Sequence, residues 1–295
     1  MAAERITVGN VEILSLSDCI LEEIDACSFF PGKNADSFDI FGGVVDEDCK
    51  IHGGINVGIF LIQSQGRRIL VDAGVGPGPL VELGNVKGNL PKELAAHGLS
   101  PEEIDTVVVT HMHMDHMGWL APRVDGRVTK TFPNAKYIIP KADWELVLSP
   151  DQVKKPLPPN HFSKDAVEIV TNFSHWGWDI SQVEGVELVS GEFQVSDEVT
   201  TVPTPGHTPG HQSLLITSQG ERAFVLGDVA HIPFQVEAPD WIAFADVQPE
   251  LGRKTRVETM EWLEREGLLV AAGHFPAPGF GRVVRGDARR YWQSI

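Results

Sequence analysis

Positive charge is scarce in this chain. Its 295 residues carry 24 Lys and Arg against 41 Asp and Glu, a formal net charge of −17 at pH 7. A summed field of that sign repels phosphate backbones and anionic lipid heads, so neither nucleic acid nor a membrane surface is an expected partner. Cysteine is scarce too. Cys19, Cys27 and Cys49 form an odd set without C-x-x-C spacing, which reads as free thiols in a reducing, cytoplasmic setting. No apolar stretch follows the N-terminal Met1-Ala-Ala-Glu-Arg, so no secretory signal is visible. The longest strongly apolar runs, 57–62 and 268–272, fall far short of a membrane span.

What is present in excess is 29 Gly and 20 Pro, beside 42% apolar and 22% charged residues. That composition describes a globular protein with tight turns and long shaped loops, and the length suits one mixed α/β domain over 1–295. Strand signals fall at 12–17 and at 57–64 with 67–72, the last two joined by a Gln65-Gly66 turn. Between them, 24–51 is long, irregular and rich in Phe, the mark of a pocket or contact element. A helix is expected over 90–97 with Gly98 as its stop, then a capping box, Ser100-Pro101-Glu102-Glu103. The β-branched run 106–110 lacks alternation, as a strand buried on both faces would. Further strands are expected at 136–139, 186–189, 199–202, 213–217, 223–226 and 268–272. Helices are expected at 141–148, at 163–173 after a Pro-rich connector over 154–159, and at 254–266. The last would carry Val257, Met260 and Leu263 on one stripe and stop at Gly267.

The chemistry concentrates in Thr110-His-Met-His-Met-Asp-His-Met-Gly118, directly after the buried strand. Three His and one Asp in six positions are nitrogen and oxygen donors suited to zinc or a similar divalent ion. His111 and His113 project to one side of an extended segment, whereas Asp115 and His116 lie where the chain turns. Two pairs of ligands imply two nearby metals, and four donors cannot complete two coordination shells. Remote donors of the right type follow strands or Gly turns: His207 in Gly206-His-Thr-Pro-Gly-His211, Asp228 in Leu226-Gly-Asp228, and His274 in Gly273-His274.

The set H-x-H-x-D-H, G-H-T-P-G-H, L-G-D and a late G-H resembles the metallo-β-lactamase superfamily from about Val57 onward. The resemblance implies a four-layer αββα sandwich with a dinuclear site at one edge of the sheets. By motif position His111, His113 and His207 would bind the first metal, Asp115, His116 and His274 the second, and Asp228 would bridge them. Asp72, in Leu70-Val-Asp-Ala-Gly74, would orient a ligating imidazole, and His211 would be structural support. Two divalent ions, zinc foremost with cobalt, manganese or iron as alternatives, would hold a bridging hydroxide that attacks a carbonyl or phosphoryl centre. Asp115 and Asp228 would thus be catalytic as well as ligating.

Among branches of the superfamily, the chain resembles the one containing N-acyl-homoserine-lactone lactonases and methyl-parathion-type hydrolases. It therefore implies a lactonase, with phosphotriester or arylester hydrolysis as the alternative. A metal binder without turnover and an iron-dependent oxidoreductase are the readings from other classes. Lactonases of that branch place Tyr three residues after the bridging Asp; here His231 stands there and is expected to donate a hydrogen bond to a substrate oxygen. Phe29, Phe30, Phe41, Met114, Met117, Trp119, Phe234, Phe275 and Phe280 flank the motifs and are expected to line a pocket for a small uncharged ester or lactone. The apolar 24–51 loop further suggests a homodimer.

Overall fold

The hairpin signal at Gln65-Gly66 sets the first half of the chain. In the computed structural model, which describes residues 4–22, 24–80, 84–148 and 180–295, both residues of that turn take left-handed φ. β1 (Arg5–Val8), β2 (Val11–Leu21), β3 (Ile55–Ser64) and β4 (Arg67–Val71) run antiparallel around it. β5 (Thr106–Val108) then adds in parallel to β4. The small hairpin β6 (Arg123–Val124) and β7 (Arg127–Val128) stands apart, and β8 (Lys136–Pro140) and β9 (Val186–Val189) extend the parallel side. Val107 and Val108 face opposite hydrophobic clusters, as a strand without alternation must.

The second half builds a matching sheet in the order β10 (Phe193–Ser196), β11 (Val199–Pro203), β12 (Gln212–Ser218), β13 (Glu221–Val225), β14 (Leu269–Ala271), β15 (Phe280–Arg285) and β16 (Arg290–Ser294). Only β13 and β14 pair in parallel. Val8, Ile13, Ile62 and Val71 from the first sheet meet Leu214, Ile216, Val225 and Phe280 from the second in one buried layer. The outer faces are covered by helices: α1 (Ala26–Phe29), α2 (Leu90–Ala96), the single turn α3 (Met114–Met117) and α4 (Lys141–Leu148) on the first sheet, α5 (Pro249–Glu266) on the second. The architecture is thus helix, sheet, sheet, helix, and no described helix is long and apolar enough to cross a membrane.

Several details depart from the sequence reading. The capping box at Ser100 forms, with the backbone N–H of Ser100 donating to Glu103 Oε2 at 2.9 Å, but it starts only a 3-10 turn. The 24–51 loop contains α1, capped by Asp25, and a 3-10 turn over Ala35–Phe41. Cys27 and Cys49 are joined in a disulfide, so only Cys19 is a free thiol. That corrects the free-thiol expectation, and the cysteine count carries no argument for a reducing compartment. α5 begins at Pro249, and its buried side holds Gly252, Arg256, Thr259, Met260 and Leu263, leaving Val257 only partly covered. The expected connector at 154–159 and helix at 163–173 lie outside the described residues.

Candidate metal centre

Chain direction brings the donors together. β4, β5, β11, β13 and β14 all end at the same edge of the two sheets, and Asp72, His111, His113, His207, Asp228 and His274 each stand just beyond one of those ends. Ligands at the carboxyl ends of parallel strands are the usual result of such winding. α3 adds Asp115 and His116 from one helical turn. Gly118, which follows it, lies so close to Val75 that a Cβ would fall 2.1 Å from the Val75 carbonyl carbon.

Two donor groups result, each with its ligand atoms within 4.8 Å of one another: His111, His113, His207 and Asp228, and Asp115, His116 and His274. Asp228 touches both. Its Oδ2 lies 3.3 Å from His207 Nε2, 3.7 Å from His111 Nε2 and 3.2 Å from His274 Nε2, and its Oδ1 lies 3.4 Å from His116 Nε2. Asp115 Oδ2 is 3.4 Å from His274 Nε2.

The far side of each ring explains why those nitrogens point inward. His116 Nδ1 donates to Asp72 Oδ2 at 2.9 Å, His207 Nδ1 to Asp246 Oδ1 at 3.0 Å, and His274 Nδ1 to the Asn56 carbonyl at 2.8 Å. Thr110 Oγ1 donates to Asp72 and accepts from His111 Nδ1 at 3.0 Å. With Nδ1 committed, every neutral ring among these presents the Nε2 lone pair to Asp228. His113 faces inward by Nδ1 instead, 3.0 Å from His111 Nε2 and 2.8 Å from His207 Nε2, while its own Nε2 is buried without a hydrogen-bond partner among the described residues. Converging buried lone pairs repel unless a cation lies among them. The donor set, imidazoles with carboxylates and an outer layer of acceptors, fits two divalent ions.

Electrostatics agree. Burial opposes ionisation of Asp228, but His274, His116 and His111 outweigh it and hold the carboxyl well below its usual range. Burial also disfavours a charged His207, yet hydrogen bonds to Asp228 and Asp246 push it up to about 9. His116 is raised well above its ordinary value against its burial by Asp228, Asp115 and Asp72, and His274 is raised against its burial by Asp228. His111 and His113 are lowered, by burial first and then by neighbouring imidazoles.

His231 is fully within this cluster. Its Nε2 lies 3.4 Å from Asp228 Oδ2 without a hydrogen-bond partner among the described residues, and burial holds the ring's pKa below its ordinary value. Gln235 Oε1 accepts the backbone N–H of His231 at 2.7 Å and stands 3.3 Å from Nδ1.

The expected pocket residues divide. Phe29 lies edge-on to His231, ring centroids 5.2 Å apart, and to Phe244 at 5.4 Å. Phe30, Phe41 and Phe234 pack with Phe38 and Trp241 in an aromatic cluster, Phe30 and Phe234 being buried in it. Met114 and Met117 are buried in the core beneath α3, and the half-buried Trp119 donates its indole N–H to Asp18 at 2.9 Å. Phe275 packs on Trp292 and Phe280 on Phe60. The pocket expectation is therefore corrected for Phe30, Met114, Met117, Phe234, Phe275 and Phe280, which are buried in the core, and Phe29 remains the one that meets His231. Sequence reasoning missed Phe244, Asp246, Arg256, Gln235 and Asn56. The one signal available was Arg256, spaced with Met260 and Leu263 on the apolar side of α5.

Comparison with known proteins fits this geometry. The metallo-beta-lactamase superfamily profile matches residues 52–274. The N-acyl homoserine lactonase AiiA of Bacillus thuringiensis subsp. kurstaki is 24% identical over 231 residues, covering 73% of this chain and 79% of that protein. AttM, an N-acyl homoserine lactonase of Agrobacterium fabrum, is 28% identical over 185 residues, 62% of this chain and 63% of its own length. Among solved structures, the dizinc quorum-quenching lactonase AidC superposes with a TM-score of 0.80 at 21% identity, covering 99% of this chain and 96% of that one. The hydrolase AbOPH superposes with a TM-score of 0.79 at 24% identity, covering 100% and 97%. The profile match spans the whole donor set, and the chain belongs to the metallo-beta-lactamase superfamily.

Proposed function

We propose that the protein is a metal-dependent hydrolase that opens small uncharged lactones, acyl-homoserine lactones foremost. The observation that carries the reading is the convergence of seven donors, six of them gathered around Asp228, which touches both ligand groups. His111, His113, His207 and Asp228 would hold one ion, Asp115, His116, His274 and Asp228 the other, zinc being the expected metal. When bound, such a pair lowers the pKa of water and polarises the carbonyl under attack.

The chain's own residues supply the rest. Asp72, Asp246 and Asn56 hold the outer nitrogens of His116, His207 and His274, the rings that would ligate the ions. The neutral His231 presents Nε2 beside Asp228 and can accept a hydrogen bond from the attacking water. Phe29 and the partly exposed Phe244 form an apolar wall leading from His231 to the surface, suited to an acyl chain. The lactonases among the relatives support the same substrate class.

A second reading, hydrolysis of aryl esters or phosphotriesters, is favoured by His231, an imidazole at the position where the resemblance to the lactonase branch implies Tyr. A panel of lactones, aryl esters, phosphotriesters, glutathione thioesters and β-lactams, run on protein with quantified metal, tests both. Turnover of lactones above all others supports the first reading. Preference for phosphotriesters or aryl esters replaces it with the second, and no hydrolysis at full two-metal occupancy overturns both.

A further inference from the structure

Arg256 is the largest fully buried side chain among the described residues, although it sits on a helix on the outer face of the second sheet. Burying a guanidinium is costly unless every donor finds a partner, so its partners show what it is there to hold. Nε donates to the Pro239 carbonyl at 3.0 Å, Nη1 to the Val229 carbonyl at 3.2 Å, and Nη2 to Asp246 Oδ2 at 3.0 Å. Asp246 is itself fully buried, and its other oxygen, Oδ1, accepts a hydrogen bond from His207 Nδ1 at 3.0 Å. Val229 directly follows Asp228.

One planar fork thus reaches toward two of the four donors of the first group, His207 and Asp228. Through Asp246 it fixes the ring orientation of His207. Through the Val229 carbonyl it fixes the turn that carries Asp228. The same region is tied down by backbone bonds: Val247 N–H donates to the His207 carbonyl and Gln248 N–H to the Gly206 carbonyl, each at 2.8 Å. Gly206 abuts the first turn of α5 so closely that a Cβ there would lie 2.2 Å from the Gly252 nitrogen. The loop bearing His207 therefore cannot shift without α5, and α5 delivers Arg256.

We propose that Arg256 is a positioning residue for the metal centre, acting through Asp246 on His207 and through Val229 on Asp228. Lysine is a poor substitute, because an ammonium lacks the planar fork that meets a carboxylate and two carbonyls at once. The inference rests on the metal-dependent reading above, though not on the identity of the substrate.

The test uses the full chain, stripped of metal and titrated with Zn²⁺ or Co²⁺ against a chromophoric chelator, with folding checked by circular dichroism. Asp246→Asn and Arg256→Met are each expected to weaken the ion held by His207 by about 10–100-fold, with Arg256→Lys in between. In the zinc-loaded protein, the slowly exchanging His207 Nδ1–H seen by NMR should broaden or vanish in Arg256→Met. Should that variant fail to fold because Asp246 is left buried and unpaired, the double variant Arg256→Met/Asp246→Asn removes the lone charge and decides the matter. Folded variants with zinc affinity within twofold of the parent, or with a lower melting temperature as their only change, overturn the proposal. Since no substrate enters these titrations, failure of the lactone assay with metal loss as stated sinks the functional reading alone.

Discussion

His211 Nε2 accepts the backbone N–H of Asp228 at 2.8 Å. Its Nδ1 faces the Thr204 carbonyl at 3.0 Å and Thr204 Oγ1 at 2.8 Å, and burial, then His207, pushes the ring down to about 3. An imidazole kept neutral near neutrality thereby sets the height of the carboxylate that both ligand groups share. Gly227 takes φ +57°, and a Cβ there would lie 2.7 Å from that Nε2. We therefore expect His211→Ala and Gly227→Ala to lose about 10–100-fold in metal affinity, as for other outer partners of a ligand. Chelator competition measures it, and unchanged affinity in both would reduce His211 to packing.

Asp228→Asn should do more. The substitution keeps shape but removes the charge that faces His207, His274 and His116. Occupancy of both ions and hydrolysis should fall together, beyond the ~10–100-fold of an outer partner. A variant with two bound metals and parental turnover would remove Asp228 from the centre.

Acid should expel the metals by proton competition at the donor rings. His207 is raised to about 9 by its hydrogen bonds to Asp228 and Asp246, so near neutrality its ring in the metal-free protein holds a proton that an ion must displace, and His116 and His274 are shifted in the same direction by Asp228. His111 and His113 are lowered and release none. Apparent affinity should rise with pH up to about 9, by about tenfold per unit for each proton released. Metal titration from pH 6 to 9 in a weak buffer reads both affinity and protons; a flat profile contradicts the assignment.

Much of this centre was legible because its code is local. H-x-H-x-D-H places four donors across one strand end and one helical turn, and the other donors each follow a short strand or glycine turn. Asp246 and Arg256 were not legible, because a buried carboxylate and guanidinium acquire meaning only through a partner far off in sequence. The stripe on α5 was read one residue out of register, as Val257 rather than Arg256, since apolar residues alone defined it. The aromatic loop misled in the same way: Phe30 looks like Phe29 in sequence, yet one joins the aromatic core and the other meets His231.

The Cys27–Cys49 link closes a loop between residues 22 apart and ties down α1, which carries Phe29. Loops of that size are stabilised by about 3 kcal/mol on the chain-entropy account. Cys27→Ala should lower the melting temperature by roughly 6–12 °C, taking about 2–4 °C per kcal/mol. It should also raise KM for long-chain lactones more than for short ones, through Phe29. Equal effects on both would make the link purely a staple.

His231 was expected to act as a donor, and its neighbours argue for the opposite. A backbone N–H is always a donor, so Gln235 must turn Oε1 toward His231, and the ring nitrogen facing that oxygen, Nδ1, must carry the proton. Burial keeps the ring neutral, which leaves Nε2 as a bare acceptor beside Asp228. His231→Ala should retain both metals and lose roughly 10–1000-fold in kcat, the range for one acid, base or oxyanion contact. His231→Tyr should stay near the Ala level. The imidazole is enclosed by His207 at 4.7 Å, Phe29 at 5.2 Å and His274 at 6.0 Å between ring centroids, so the longer phenol has no room, and its hydroxyl would chiefly donate. Steady-state kinetics with metal quantification decides the point: recovery of lactone turnover by Tyr would restore the donor role, and an unchanged kcat in Ala would leave His231 a packing residue.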